Sequence, residues 1–404
     1  MEFVKGNTVS PKGFLAGGAQ VGIKKGKEDM ALIISKVPAN AAGVFTTNVV
    51  KAAPVLWDIK NIENKISGIV ANSGNANACT GEKGLKDAED TAEKLAKNIG
   101  VNKENILVCS TGVIGVNLPM DAVLSGVDKV YALVGDSFEK GENAAKAIMT
   151  TDTVKKTVCI KENIGGKEIT LAGMAKGSGM INPNMATMLC FITTDAAISR
   201  KLLDRALKEA VLDTFNMICV DGDMSTNDTV LVLANGCAEN KEITEEDADY
   251  EAFKATLFAV MKDLAVKCAK DGEGATKLIE AKALGVKNKE EARKIALSVV
   301  SSNLLKAAIF GEDANWGRAL CAMGYSGADF DPMKVTIVFK SEKGEITLMD
   351  EGVPIVFDED KAATILSADK INIDMYLNQG ESEATAWGCD LTYEYVKING
   401  DYRS

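Results

Sequence analysis

Histidine is absent from all 404 residues. That excludes Ser-His-Asp and Cys-His catalysis and zinc centres that need imidazole. Any nucleophile must then be activated by a carboxylate, a lysine, a metal or a backbone amine. The nine cysteines never occur as C-x-x-C and leave an odd thiol, which reads as reduced thiols in a cytosolic protein, most of them small core residues. No apolar run approaches the roughly 20 residues needed to cross a bilayer, and the opening MEFVKGNTVS has no apolar signal-peptide core. The expectation is a cytoplasmic, soluble chain with no membrane partner. A net charge of −11 argues against the clustered Lys and Arg of a nucleic-acid surface, while small cationic substrates stay compatible with it.

Phosphate loops are missing too. No G-x-x-x-x-G-K-[ST] stretch occurs, and Gly177-Ser178-Gly179 is not completed as G-x-G-x-x-G because Asn182 takes the last position. The run DGDMSTND, with Asp221, Asp223, Asn227 and Asp228, looks like a calcium loop but lacks its glycine and its closing glutamate. No metal is therefore expected.

What is present is a hydrophobic content of 46% and an alternation of helical and strand-like patterns, which indicate an α/β protein with more than one core. MALIIS (30–35), GVFTTN (43–48), ISGIVAN, ILVCS, MLCFITTDAAI, NMICVDGD and TVLVLANG read as strands. Helices are expected near 84–99, after Pro119, near 137–149, from 199 with Ser199 as cap, and over 245–270. In the last of these, Phe253, Leu257, Val260, Met261 and Leu264 recur at helical steps. Residues 155–174 read as a hairpin turning at Gly165-Gly166. The last third reads as βαβ-like, with VTIVF, EITLMD, helix DEDKAATILSA, INIDMYL and a final strand ending LTYEYVKI. A boundary near 280 separates 1–280 from a smaller α/β domain, 281–404.

Chemistry concentrates around Asn182-Pro183-Asn184-Met185-Ala186-Thr187, a Gly-, Pro- and Asn-rich turn opening onto an apolar strand. Taken alone, Thr187 can be an ordinary β-favouring strand start. The alternative is chemical. An amino-terminal threonine supplies its own base, because an α-amine titrates near ~8 and a lysine above ~10. Thr187 acquires such an amine only if the bond after Ala186 breaks. Other residues have similarly plain alternatives: Thr111-Gly112 as a strand-ending turn, Lys176 and Glu273 as solvated charges, Thr150 as a helix-end cap, and the tail as a frayed end.

The segment KGSGMINPNMATML resembles the autocleavage segment of the ornithine acetyltransferase family, also called the bifunctional arginine-biosynthesis glutamate N-acetyltransferases. GFLAGG, CSTGVIG, IMTTDT, DGDMSTNDTV, EDANWGR and the terminal NGDYRS resemble family segments in family order, across nearly the whole chain. The resemblance implies a layered α-β-β-α core of the self-processing type, and cleavage between Ala186 and Thr187 into an α chain, 1–186, and a β chain, 187–404, assembled as α2β2. It implies Thr187 as the acetyl-carrying nucleophile of a ping-pong transfer from N2-acetylornithine to glutamate. Thr111 and Gly112 would form the oxyanion hole, and Thr150, Lys176, Thr187, Glu273, Asn399 and Ser404 would contact substrate. No bound cofactor is implied, but acetyl-CoA is implied as a co-substrate of many relatives. Asn315 and Trp316 read as structural. Two rivals remain: a self-processed aminopeptidase or amidase that passes the acyl group to water, and an uncleaved regulatory amino-acid-binding protein.

Overall fold

The computed structural model describes residues 1–182 and 188–401. MALIIS and the first half of GVFTTN, expected as separate strands, belong to one strand, Met30–Phe45, which ends before Thr46. Its register shifts between Ile34 and Ala39, the kind of irregularity that bends a strand. The first half pairs with Phe14–Ala19 and Ile66–Asn75, the second with Thr229–Ala234. Ile106–Val113 extends the sheet on one side; Leu189–Thr194, Lys167–Lys176 and Lys156–Ile164 extend it on the other.

Strand side chains alternate between faces, and the alternation explains the layers. Ile33 and Leu107 from one half share a core with Phe191, Leu231 and Leu233 from the other. Their neighbours Leu32, Ile34 and Val108 instead bury against the helices Gly81–Ile99 and Met120–Tyr131. On the opposite side Ile192, Val230 and Val232 join a core with the helices Arg200–Leu212 and Ala248–Lys270. The order is helices, one half of the bent sheet, its other half, helices. The long helix buries Phe253, Leu257, Val260, Met261 and Leu264, and Asp247 caps it by accepting the N–H groups of Asp249 and Tyr250. Ser199 stands at the start of its helix but makes no side-chain cap bond.

A second sheet of seven strands is built mainly from the C-terminal third, including Leu278–Val286, Thr336–Ser341, Lys370–Tyr376 and Ser382–Cys389. Of the expected strand NMICVDGD only Ile218–Cys219 is strand, and it joins this sheet beside Trp387 and Gly388. One apolar core runs from Val230 through Phe253 to Ile279 and Ile337. The expected final strand through LTYEYVKI is corrected: the strand is Ser382–Cys389, and Tyr393–Asp401 is a helix. Thr392 donates to the carbonyl of Gly274, and Gly274 lies against Glu394 and Tyr395. Tertiary contact overrides the β preference of Tyr and Val there.

Candidate active site

The Gly165-Gly166 turn has φ of 59° and 74°, the two left-handed residues that a tight hairpin requires. It joins Lys156–Ile164 to Lys167–Lys176, and the register sets Lys156 opposite Ala175. Two lysines at the open end of one hairpin thus become neighbours. Lys176 is buried, 2% exposed, and its Nζ donates to Thr111 Oγ1 at 3.0 Å. Burial pulls the Lys176 pKa down, against the opposing field of Asp152. Since the Thr111 oxygen accepts from the ammonium, its own O–H proton is left to donate elsewhere.

Thr111 and Gly112 end the strand Ile106–Val113. Gly112 has φ of 135°, and a Cβ on it would lie 2.4 Å from the carbonyl carbon of Gly74. Only glycine permits both the dihedral and the backbone approach. The second glycine that matters is Gly179, where a Cβ would fall 2.4 Å from the Glu273 carboxyl carbon. Glu273 follows the long helix; its N–H donates to the Ser178 carbonyl at 2.8 Å. Its Oε2 accepts from Asn399 Nδ2 at 2.7 Å. The helix that replaced the expected strand is what brings Asn399 there.

These groups line one cavity of about 120 Å³, with Thr111, Gly112, Thr150, Lys176, Glu273 and Asn399 in its wall beside Ser225, Thr226, Asn227 and the apolar Ile114 and Met180. Below it lies a buried ionic cluster. Asp152 accepts from the N–H of Thr150 at 3.0 Å, from that of Gly177 at 2.7 Å and from Lys156 Nζ at 2.6 Å. Lys156 also reaches Asp271 at 2.5 Å, two residues before Glu273. Burial opposes ionisation of Asp152, but Lys156 and then Lys176 outweigh it and hold its pKa below the usual carboxylate range.

The loop 221–228 holds the described residues 180–182 and 188. Asp221 takes the N–H groups of Met180 and Ile181 at 2.6 and 2.9 Å, so its two oxygens are occupied by backbone. Asn182 Nδ2 donates to the Gly222 carbonyl. The Met188 N–H donates to Asp228 Oδ1 at 2.9 Å. Asn227, buried, donates to the carbonyls of Ala76 and Ser110 at 2.7 and 2.8 Å, tying this loop to the strand that carries Thr111.

The ArgJ family is the one whose model matches, over residues 15–404. The arginine biosynthesis bifunctional protein ArgJ of Caldanaerobacter subterraneus subsp. tengcongensis is 55% identical, with 100% of each chain covered. That of Symbiobacterium thermophilum is 53% identical, again with 100% of each covered. The chain belongs to the ArgJ family. Among solved structures, the arginine biosynthesis bifunctional protein argJ of Bacillus halodurans is 45% identical over 52% of this chain and 98% of its own, with a TM-score of 0.50.

For this ArgJ-family chain, six of the residues singled out by sequence share the cavity wall: Thr111, Gly112, Thr150, Lys176, Glu273 and Asn399. Ala186, Thr187 and Ser404 lie outside the described residues. Sequence reading did not single out Asp152, Lys156 and Asp271. Their only signal would have been that charged residues at these positions flank the turns bearing Thr150, Lys176 and Glu273. No helix among the described residues is long and apolar enough to cross a membrane.

Proposed function

We propose that this chain is a cytoplasmic acyltransferase of arginine biosynthesis that cleaves itself between Ala186 and Thr187 and carries acetyl groups on Thr187. In cleavage, the Thr187 hydroxyl attacks the Ala186 carbonyl, the peptide C–N bond breaks, and water hydrolyses the resulting ester. The products are a carboxylate on Ala186 and a free α-amine on Thr187. In transfer, the Thr187 oxygen attacks the acetyl carbonyl of N2-acetylornithine while the α-amine takes its proton. The C–N bond breaks, ornithine leaves with that proton, and glutamate's amine then attacks the acetyl ester and regenerates the hydroxyl. Thr111 O–H and the Gly112 N–H are the oxyanion donors, a role worth roughly 3 to 4 kcal/mol of barrier. Glu273, with Asn399, suits the cationic side chain of ornithine. Thr150 and Ser404 are further substrate contacts, and the two chains assemble as α2β2. Acetyl-CoA is a second donor, in keeping with the word bifunctional in the relatives' names.

The observation that carries this reading is the convergence of one hydroxyl–glycine pair, one buried lysine and one carboxylate–amide pair on a single cavity. The absence of histidine supports it, since the α-amine then supplies the missing base. A further support is that nearly all of the solved chain from Bacillus halodurans aligns with only about half of this one, a length close to that of 187–404.

The test is incubation with N2-acetylornithine and glutamate, with and without acetyl-CoA. Without acetyl-CoA, N-acetylglutamate and ornithine are expected in equal amounts, and with it N-acetylglutamate in excess of ornithine; free acetate without N-acetylglutamate would defeat the reading in favour of hydrolysis. Denaturing mass spectrometry should show two chains for the native protein and one for Thr187→Ala, and two fragments from that variant would defeat the cleavage mechanism.

A further inference from the structure

The cavity that holds Thr111, Lys176 and Glu273 encloses about 120 Å³, below the roughly 300 to 1,000 Å³ of sites that bury larger ligands. A donor that carries a nucleotide must therefore extend out of it. Thr150 is shared with a second cavity of about 230 Å³, lined also by Lys24, Lys27, Lys146 and Asp152. Lys27, Glu28 and Lys146 are shared in turn with a third, of about 350 Å³, which adds Gln20 and Asn143. Three cavities thus adjoin in series, from the catalytic one to the exposed Lys27.

The outer two have uncompensated positive charge in common, in a chain whose net charge is −11. The carboxylates in their walls are already met: Asp152 by Lys156 and the N–H groups of Thr150 and Gly177, Glu28 by Lys146 at 2.7 Å. Among the described residues, Lys24 and Lys27 have no ion-pair partner. Lys24 Nζ donates at 2.8 Å to a neutral acceptor, the carbonyl of Met149 beside Thr150, and has two further protons to give. Its stem crosses Gly74, where a Cβ would lie 2.6 Å from Lys24 Cγ, and Gly74 in turn touches Gly112. The loop that bears these lysines is held in shape from within. Asp29, 0% exposed, accepts four consecutive N–H groups, those of Val21, Gly22, Ile23 and Lys24, at 2.6, 3.1, 2.7 and 2.8 Å. Burial, and after it the like charges of Lys27 and Lys176, pull the Lys24 pKa down to about 8 against the field of Asp29. Cations crowded in this way repel one another until an anion joins them.

We propose that the groove lined by Lys24, Lys27 and Lys146 binds the phosphate groups of acetyl-CoA, whose pantetheine arm runs past Thr150 and presents the thioester carbonyl to Thr111 and Gly112. This rests on the reading of acetyl-CoA as a second donor and adds to it where that donor lies. Lysine ammonium groups bind phosphate as point charges, and a loop fixed by Asp29 places them before the ligand arrives, so little ordering is lost on binding. N2-acetylornithine carries no phosphate and is small, so it has no use for this groove. The two donors then deliver acetyl groups to one cavity but are recognised in different places.

The test is Lys27→Glu, a charge reversal at an exposed position. Initial rates of N-acetylglutamate formation are measured with three donors: acetyl-CoA, acetyl-pantetheine, which has the same thioester and no phosphate, and N2-acetylornithine. KM for acetyl-CoA should rise about five- to tenfold, because an attraction is lost and a repulsion added, while KM for the other two donors changes less than about twofold. In the wild type, added salt should raise KM for acetyl-CoA more than for acetyl-pantetheine. Where acetyl-pantetheine is too poor a donor to measure, N2-acetylornithine is the control for both comparisons. An unchanged KM for acetyl-CoA in the variant, or an equal rise for every donor, overturns the proposal. So does a raised KM for glutamate with N2-acetylornithine as donor, which would assign the groove to the carboxylate of the acceptor. Wild-type protein that uses N2-acetylornithine but makes no N-acetylglutamate from acetyl-CoA would sink the second-donor reading and this proposal together; wild-type protein that uses acetyl-CoA with a KM indifferent to Lys27→Glu sinks only this one.

Discussion

Replacing Lys156 by Met tests whether the site stands on the ionic cluster beneath it. Lys156 is 0% exposed and is the cation shared by Asp152 and Asp271, whose side chains are 0% and 8% exposed. At the 2.6 and 2.5 Å contacts each attraction is roughly 6 kcal/mol with an effective dielectric constant near 20. Desolvation of the three ions offsets most of that total. What the variant exposes is the remaining cost: two buried carboxylates that have lost their cation. Asp152 keeps the N–H groups of Thr150 and Gly177, and Asp271 keeps that of Thr153, so the loss should be about 3 to 5 kcal/mol, the range for breaking one side of a buried pair.

The pH dependence has a definite sign. In the wild type the Asp152 pKa is held below its ordinary value, so its contribution is fully present above about pH 4 and is lost only as pH falls through the depressed pKa. In the variant burial dominates and the carboxyl's pKa rises, so the protein is penalised as pH climbs from 4 to 7. The stability gap should be widest at neutrality and narrow toward pH 4. Urea unfolding of both proteins at one concentration, at pH 7 and pH 5, measures it. A variant within 1 kcal/mol of wild type at pH 7 (about a fivefold change in the unfolding constant), or a gap that widens on acidification, would refute the reasoning.

Thr111→Ala should lower kcat for acetyl transfer by about 10² to 10³ with little change in KM, and Thr111→Ser should recover most of it; steady-state kinetics at fixed pH would show this, and an equal loss for Ser would argue against a hydroxyl donor. Two glycine substitutions should separate fold from function. Gly112→Ala drives a Cβ into the Gly74 backbone at a left-handed φ and should leave little soluble protein, whereas the nearest atoms that Gly179→Ala meets are those of the movable end of Glu273. Gly179→Ala should therefore fold, with a melting temperature near wild type and a raised KM for N2-acetylornithine; an unchanged KM would remove Glu273 from the ornithine site.

Much of this protein was legible from its order of residues alone. The Gly165-Gly166 hairpin and the helix Ala248–Lys270 follow from local rules, because turn dihedrals and helical periodicity are set by residues within a few positions of each other. The lack of histidine narrowed the chemistry before any contact was known, and motif resemblance pointed to six residues that share one cavity. Tertiary structure alone decided the rest. It made one bent strand of two runs, turned the β-favouring TyrGluTyrVal stretch at 393–396 into a helix that delivers Asn399 to Glu273, and sent Ile218–Cys219 to the other sheet. It also joined Lys156 to Asp271 across 115 positions and left Asp228 buried beside Met188 with one oxygen free. Such pairs depend on which strands lie side by side and how much water they exclude, and neither quantity is written in the spacing of the residues involved.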